Sequence, residues 1–441
     1  MDGDNVVRIG EVDEITGFPR RKAFLRTLDA RMAELGPGRL ERLWVGVLDL
    51  PVLRYVRSSM GWEVGDRYLR EVASTLRERV PGALVFGRLD GPELAVAAVS
   101  PPGDPIREAF PAPAFLGRTF HVDDVPLFMS LRAGIAWREP GDDARALLRK
   151  ASVALNRAGV GGRGDLVVHD EAMAREAREG AAIARALPRA MEDDALELHY
   201  QPKLELETGR MTGVEALLRW PRRGGVPVTP KRIVEIAELT EMIVPLGRWV
   251  LRRAALQAAG WRRLGLSPFR IAVNVSAVQL IKSDLVGEVE AALEAAGVGP
   301  EWFELELTES AMMAHGPTIS ALFTRLDRLG IPVAIDDFGT GYSSLAYMKR
   351  YPIARLKIDR SFVDGFLENP ADAGIVRCVI AIGKNLGFRV VAEGVETAEQ
   401  AEALREELCD EVQGFFFSRP LLPSDVPAYV ARVGLAAGQP R

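Results

Sequence analysis

The chain has 441 residues, 48% hydrophobic and 27% charged, an ordinary folded composition with room for roughly two to four domains. Its 56 basic and 61 acidic side chains give a net charge of −5, so no basic face and no DNA partner are expected. Cys378 and Cys409 are too few for a disulfide framework and suit a reducing compartment. His121, His169, His199 and His315 lack metal-ligand spacing, which argues against zinc. Any metal is therefore expected on oxygen donors, as Mg²⁺ or Mn²⁺. The acidic start MDGDNVVRIGEVDE offers no signal peptide, and no apolar run reaches a membrane-spanning length, so a cytoplasmic protein without membrane contact is expected.

Along the chain, Arg21–Leu35 has helical periodicity, Leu43–Leu50 (LWVGVLDL) reads as a buried strand, and Val64–Val80 is helical again. Ala83–Arg88 and Glu93–Val99 flank Asp90-Gly91-Pro92 as a hairpin. Phe128–Trp137 reads as a strand, Asp143–Ala158 as a helix and Leu166–His169 as a last strand. That order suits an α+β layer with an antiparallel sheet over residues 1–172. After the loop Gly161–Gly164, residues 173–192 form a connecting helix, broken by Gly180 and Pro188. Residues 193–435 make a second domain and 436–441 a short tail.

In that second domain strand patterns recur at Leu196–Gln201, Gly213–Trp220, Arg270–Val275, Phe303–Leu307, Pro332–Ile335, Arg355–Ile358, Arg389–Ala392 and Glu411–Gly414. Helical stretches such as Asp284–Ala296, Thr318–Leu329, Asp372–Leu386 and Thr397–Leu408 lie between most of them. The count and length predict a (β/α)8 TIM-like barrel, whose active site forms where the strands end.

Polar residues sit at those ends: Glu215, Asn274, Glu306, Asp336 with Asp337, Lys357, Glu393 and Gln413. Each has an ordinary alternative. Glu215 could lie on a solvated face, Asn274 could make an Asx turn, and Lys357 could snorkel to water. Asp336 or Asp337 could cap a helix near Ser343 and Ser344, although those serines are ready caps themselves. Glu393 has no capping duty, because Thr397 and Gln400 already form a capping box. Repetition on consecutive strands favours a shared site. Glu215, Asn274, Glu306 and Asp336 supply a hard-oxygen shell, Asp337 could serve a second ion, and Lys357 and Glu393 could handle a water or its proton. The chemistry this set suits is metal-assisted hydrolysis of a phosphate ester.

These residues stand in motifs: Tyr200-Gln201-Pro202, Glu215-Ala216-Leu217-Leu218-Arg219-Trp220, Asn274-Val275-Ser276, Glu306-Leu307-Thr308-Glu309, Asp336-Asp337-Phe338-Gly339-Thr340-Gly341, Lys357-Ile358-Asp359 and Glu393-Gly394-Val395-Glu396. In order and spacing, residues 185–423 resemble the EAL domain of cyclic-di-GMP phosphodiesterases. The resemblance implies Glu215, Asn274, Glu306 and Asp336 as metal ligands, with Asp337 on a second ion. It implies Lys357 and Glu393 in catalysis around the water. Gln201, Leu217, Arg219 and Gln413 are implied as substrate contacts, and Glu309 as the anchor of the loop from Asp337 to Ser344. Hydrolysis of cyclic-di-GMP to linear pGpG, and a homodimer through this domain, are what the family implies.

The first half resembles a GGDEF diguanylate cyclase domain, but with departures. Asp13-Glu14-Ile15-Thr16-Gly17-Phe18-Pro19-Arg20-Arg21 fits the family's start, and Gly61-Trp62-Glu63-Val64-Gly65-Asp66 fits loosely. The signature hairpin reads Asp90-Gly91-Pro92-Glu93-Leu94, with proline at an acidic position. Beyond Asp49, Pro51 takes the second metal-binding aspartate position, and Arg57 and Ser58 replace the guanine-reading pair. Proline brings neither carboxylate nor N–H. Pro81 and Leu84 stand where the upstream product-inhibition motif would lie. A domain without cyclase activity, serving regulation, dimerisation or a protein partner, is the expectation. A non-catalytic cyclic-di-GMP receptor is the competing reading for the whole chain.

Overall fold

The computed structural model describes residues 10–80, 82–101, 119–122, 125–128, 131–158, 166–221, 227–313, 316–340 and 351–436. Pro81, the Gly161–Gly164 loop, Gly341, Ser343 and Ser344 lie outside the described residues, as do 437–441 of the tail. The chain divides into two compact units, Met1–Glu179 and Gly180–Arg441.

The first unit is built on strands β1 (Leu43–Asp49), β2 (Ala83–Arg88), β3 (Leu94–Val99), β6 (Arg132–Trp137) and β7 (Leu166–Val168), in the order β2-β3-β1-β6-β7. A separate pair, β4 (Thr119–Val122) and β5 (Val125–Phe128), is antiparallel. The stretch read as one strand, Phe128–Trp137, is thus divided between two sheets. β1 runs antiparallel to both β3 and β6, and only β6 with β7 is parallel. Every residue of β1 is buried, because helices cover both faces. Trp44 and Leu48 pack with Leu53, Tyr68 and Val72 from helices Pro51–Met60 and Trp62–Arg79. Leu43, Val45 and Val47 pack the other way, with Phe24 and Leu28 of helix Arg21–Glu34 and Leu147 of helix Ala144–Ala158. Gly134 is needed there, since a Cβ would meet the backbone of Ala151 and Leu155. Helix Pro51–Met60 was not expected from periodicity. Pro51 opens it at a first-turn position, where a missing N–H costs nothing.

In the second unit, β8 (Glu197–Glu205), β9 (Met211–Arg219), β10 (Arg270–Val275), β11 (Phe303–Thr308), β12 (Val333–Phe338), β13 (Ile353–Ile358), β14 (Arg389–Glu393) and β15 (Glu411–Gln413) close a barrel. From β9 to β15 neighbouring strands are parallel, but β8 is antiparallel to both β9 and β15. The link from Glu205 to Met211 is too short for a helical crossover and turns through Gly209 at φ +68. Residues alternate along each strand. Leu305, Leu307, Leu356, Ile358, Val390 and Ala392 face outward into a core shared with Leu251, Trp261, Phe323, Val376 and Ile380 of the surrounding helices. Of their inward-facing neighbours, Glu304, Glu306, Arg355, Lys357 and Glu393 are charged and Val391 is apolar. Helix Glu171–Glu192 is continuous, with Gly180 and Pro188 inside it rather than at breaks. No helix among the described residues is long and apolar enough to cross a membrane.

Candidate active site

The barrel interior carries charge in two tiers. In the lower tier Lys203, Glu304, Arg355 and Glu411 are all buried. Lys203 Nζ lies 2.6 Å from Glu304 Oε1, and Arg355 pairs with Glu304 and, at 3.2 Å, with Glu411. Burial pushes the Glu304 carboxyl up, but Arg355 and Lys203 outweigh it and hold it at about 2. Each carboxylate of this tier has its cation partners, and Glu411 is also met by Arg389 Nε at 2.8 Å.

In the upper tier the charge is not matched: Glu306 and Lys357 lie two residues further along β11 and β13, and Glu215, Asp336 and Glu393 join them from β9, β12 and β14. Lys357 Nζ lies 2.7 Å from Glu306 Oε2, 3.0 Å from Asp336 Oδ1, 2.5 Å from Glu393 Oε1 and 3.8 Å from Glu215 Oε2. Lys357 is 1% exposed, so the snorkelling alternative fails. Burial disfavours its ammonium, yet the surrounding carboxylates hold its pKa well above the ordinary value. It is a fixed positive charge. The acids respond in the opposite sense: burial pushes Glu306 up to about 7, against Lys357 and Lys203. Burial, aided by Asp336 and Asp359, pushes Asp337 up to about 6. Burial also drives Glu393 far above the carboxylate range despite Lys357.

Asp336 and Asp337 share this mouth because β12 bulges. Ile335 pairs with Leu356 and Phe338 with Ile358, so one extra residue is inserted between them. Asp337 takes up the distortion at φ +52, and its N–H donates to Asp336 Oδ1 at 3.0 Å. Gly339 follows at φ +98, and its N–H donates to Glu309 Oε2 at 3.4 Å. Asn274 Nδ2 donates to Glu215 Oε1 at 2.6 Å, while Ser276 and Gln279 cap the next helix. Glu215 is buried, not on a solvated face, and its Oε2 accepts from Gln413 Nε2 at 2.6 Å. Gln413 Nε2 also donates to Gln201 Oε1 at 3.1 Å. Thr397 and Gln400 form the expected capping box, leaving Glu393 free of that duty. Leu217 and Arg219 lie half-buried at the end of β9, where Arg219 Nη1 donates to the Leu218 carbonyl at 2.8 Å.

Among the described residues no group of three histidine, cysteine or carboxylate ligands is already gathered around a metal-sized point. The carboxylates converge on Lys357 instead. The donor set nevertheless fits a divalent cation: Glu215, Glu306, Asp336, Asp337 and Glu393 bring hard oxygens and an excess of negative charge that one ammonium does not balance. The lower tier was not anticipated. Its signal is the alternation Glu304-Leu305-Glu306, Arg355-Leu356-Lys357 and Glu411-Val412-Gln413, which places both polar members of each triplet inside a closed barrel.

The EAL domain family model matches residues 184–420, and that of the diguanylate cyclase GGDEF domain matches residues 11–165. The chain belongs to the GGDEF–EAL family. Cyclic di-GMP phosphodiesterase NbdA of Pseudomonas aeruginosa is 35% identical over 94% of this chain and 53% of its own length. The bifunctional diguanylate cyclase/cyclic di-GMP phosphodiesterase MucR of the same organism is 34% identical over 97% of this chain and 62% of its own. This GGDEF–EAL chain spans about half to two thirds of the length of such relatives. Among solved structures, the PaMucR phosphodiesterase in a c-di-GMP complex covers 56% of this chain and 99% of its own, at 41% identity and TM-score 0.54. The S helix–GGDEF–EAL portion of Vibrio cholerae LapD covers 92% of this chain and 95% of its own. At 18% identity and TM-score 0.59, it is a likeness of fold alone.

In the GGDEF half, Asp49 ends β1 and is ion-paired with Arg132. The β2–β3 turn passes through Gly91 at φ +59, and Arg88 donates to the Gly91 and Glu93 carbonyls. A pocket of about 330 Å³ is lined by Leu53, Arg54, Arg57, Ser58, Trp62, Gly91 and Pro92. Arg57 is engaged within it, 2.9 Å from Asp66 and stacked 4.7 Å from the Trp62 ring.

Proposed function

We propose that the EAL half is a divalent-metal-dependent phosphodiesterase that opens cyclic-di-GMP to linear pGpG. The observation that carries this reading is the acid-rich mouth of the barrel, where four carboxylates surround the buried Lys357 ammonium. Glu215, Asn274, Glu306 and Asp336 would hold one Mg²⁺ or Mn²⁺, and Asp337 a second. Such ions, when bound, lower the pKa of a water and offset phosphate charge. Lys357 supplies a permanent positive charge beside the attacked phosphate. Glu393 accepts the water's proton. Gln201, Leu217, Arg219 and Gln413 line the mouth as substrate contacts. Glu309 steadies the backbone after Asp337 through Gly339. Water adds to phosphorus as it gives up its proton, the P–O3′ bond breaks, the released O3′ takes up a proton from solvent, and the 5′-phosphate stays on the product.

Purified protein incubated with cyclic-di-GMP and Mn²⁺ should give pGpG on chromatography. Cyclic-di-GMP bound yet recovered intact would transfer support to a receptor that signals by conformation.

The GGDEF half in this reading makes no cyclic-di-GMP and acts in regulation or assembly, either by dimerisation or through a protein partner. The chain then works in the cytoplasm, as a homodimer through its EAL half. Pro51 and Pro92 replace carboxylates, and the Arg57 guanidinium is already spent on Asp66 and Trp62. GTP with Mg²⁺ is expected to yield no cyclic-di-GMP, and detectable product in a labelled-GTP assay would refute this assignment.

A further inference from the structure

Lys203 has no part in the chemistry just described, yet it is buried at the junction of the two tiers. It sits on β8, 1% exposed, with Nζ 2.6 Å from Glu304 Oε1 and 3.1 Å from Glu306 Oε1. The other oxygen of Glu306, Oε2, accepts from Lys357 at 2.7 Å. Glu306 is therefore clamped: one oxygen is held from below, the other faces the mouth. Below, Glu304 is itself fixed by Arg355, which Glu411 holds in turn. Thr212 and Arg389 close that chain on Glu411.

We propose that Lys203 is a positioning residue, which commits Glu306 to present a single oxygen to the metal. The inference rests on the metal-dependent reading above. A carboxylate able to swing both oxygens into the mouth can pair with Lys357 in several ways, and each must be undone before it can serve as a ligand. Held by Lys203, it starts in one orientation. Groups that orient a metal ligand commonly contribute 10–100-fold to metal affinity. The rival account is a purely structural ion pair, whose loss would affect folding and nothing else.

The test is Mn²⁺ titration of the full chain without substrate, with free Mn²⁺ read by electron paramagnetic resonance. Lys203→Met combined with Glu304→Gln removes one positive and one negative charge together, so the lower tier keeps its balance. The Kd for Mn²⁺ should rise about 10–100-fold while the circular dichroism spectrum is retained. An unchanged Kd with a lowered Tm would overturn the proposal and leave Lys203 a structural ion-pair partner. If the double variant does not fold, Lys203→Met alone decides, because Glu304 keeps its pairing with Arg355 while the hold on Glu306 Oε1 is lost. A several-fold weaker Kd supports the clamp and an unchanged one overturns it. Wild-type protein that takes up no Mn²⁺ would refute the metal-dependent reading itself, which separates that failure from the failure of the clamp.

Discussion

Lys357→Ala is expected to lower kcat by at least about 100-fold, the scale for losing a fixed electrostatic group at a reacting centre. The reason is positional. Its ammonium is held by Glu306, Asp336, Glu393 and Glu215 at 2.5–3.8 Å, on a strand inside a closed barrel. Lys203 cannot take its place, because its ammonium is held by Glu304 Oε1 and by the far oxygen of Glu306. Removing it leaves carboxylates facing one another, and they relieve the repulsion by keeping protons, so the substituted site also loses its acceptors. Arg219 lies differently, half-buried at the rim of β9. Arg219→Ala should therefore raise KM more than it lowers kcat. Steady-state kinetics on both variants distinguishes the roles. Turnover abolished at saturating substrate in Arg219→Ala, with Lys357→Ala intact, would reverse the assignment.

That these side chains come together was legible because a barrel gathers strand ends. Glu215, Glu306, Asp336, Lys357 and Glu393 each close an otherwise apolar run, and a sequence shows that directly. What it does not show is which way a polar residue one step earlier points. Glu304 and Arg355 carry no assigned direction until the sheet is closed and their period-2 partners, Glu306 and Lys357, are placed inside. The direction of β8 was hidden for a related reason. Its charged end, Lys203 to Glu207, resembles a loop, and a strand's pattern is the same read in either direction. In the first unit the two-sided burial of β1 follows from its unbroken apolar run. Helix Pro51–Met60 did not, because a proline at its start looks like a break unless the helix is known to begin there.

Without metal, the protein should lose stability as pH rises from about 5 to about 7.5, and added Mn²⁺ should return more stability the higher the pH. The folded Glu306 carboxyl titrates at about 7 and that of Asp337 at about 6, both above their unfolded values. Between the ordinary carboxylate range and about 7 the folded chain thus holds protons that the unfolded chain has released. Its stability falls as pH rises through that window. A divalent ion binds the ionised forms, so uptake releases protons and strengthens over the same interval. At a hundred times Kd, binding adds about 2.7 kcal/mol, or roughly 5–10 °C in Tm for a unit of this size. Tm measured from pH 5.5 to 8, with and without Mn²⁺, reads both slopes. Excess chelator should abolish hydrolysis entirely. Turnover that survives the chelator, or a Tm gain from Mn²⁺ that is the same at pH 5.5 and 8, would mean that these carboxylates do not hold the metal. The raised pKa values of Glu306 and Asp337 would then reflect burial around Lys357 alone.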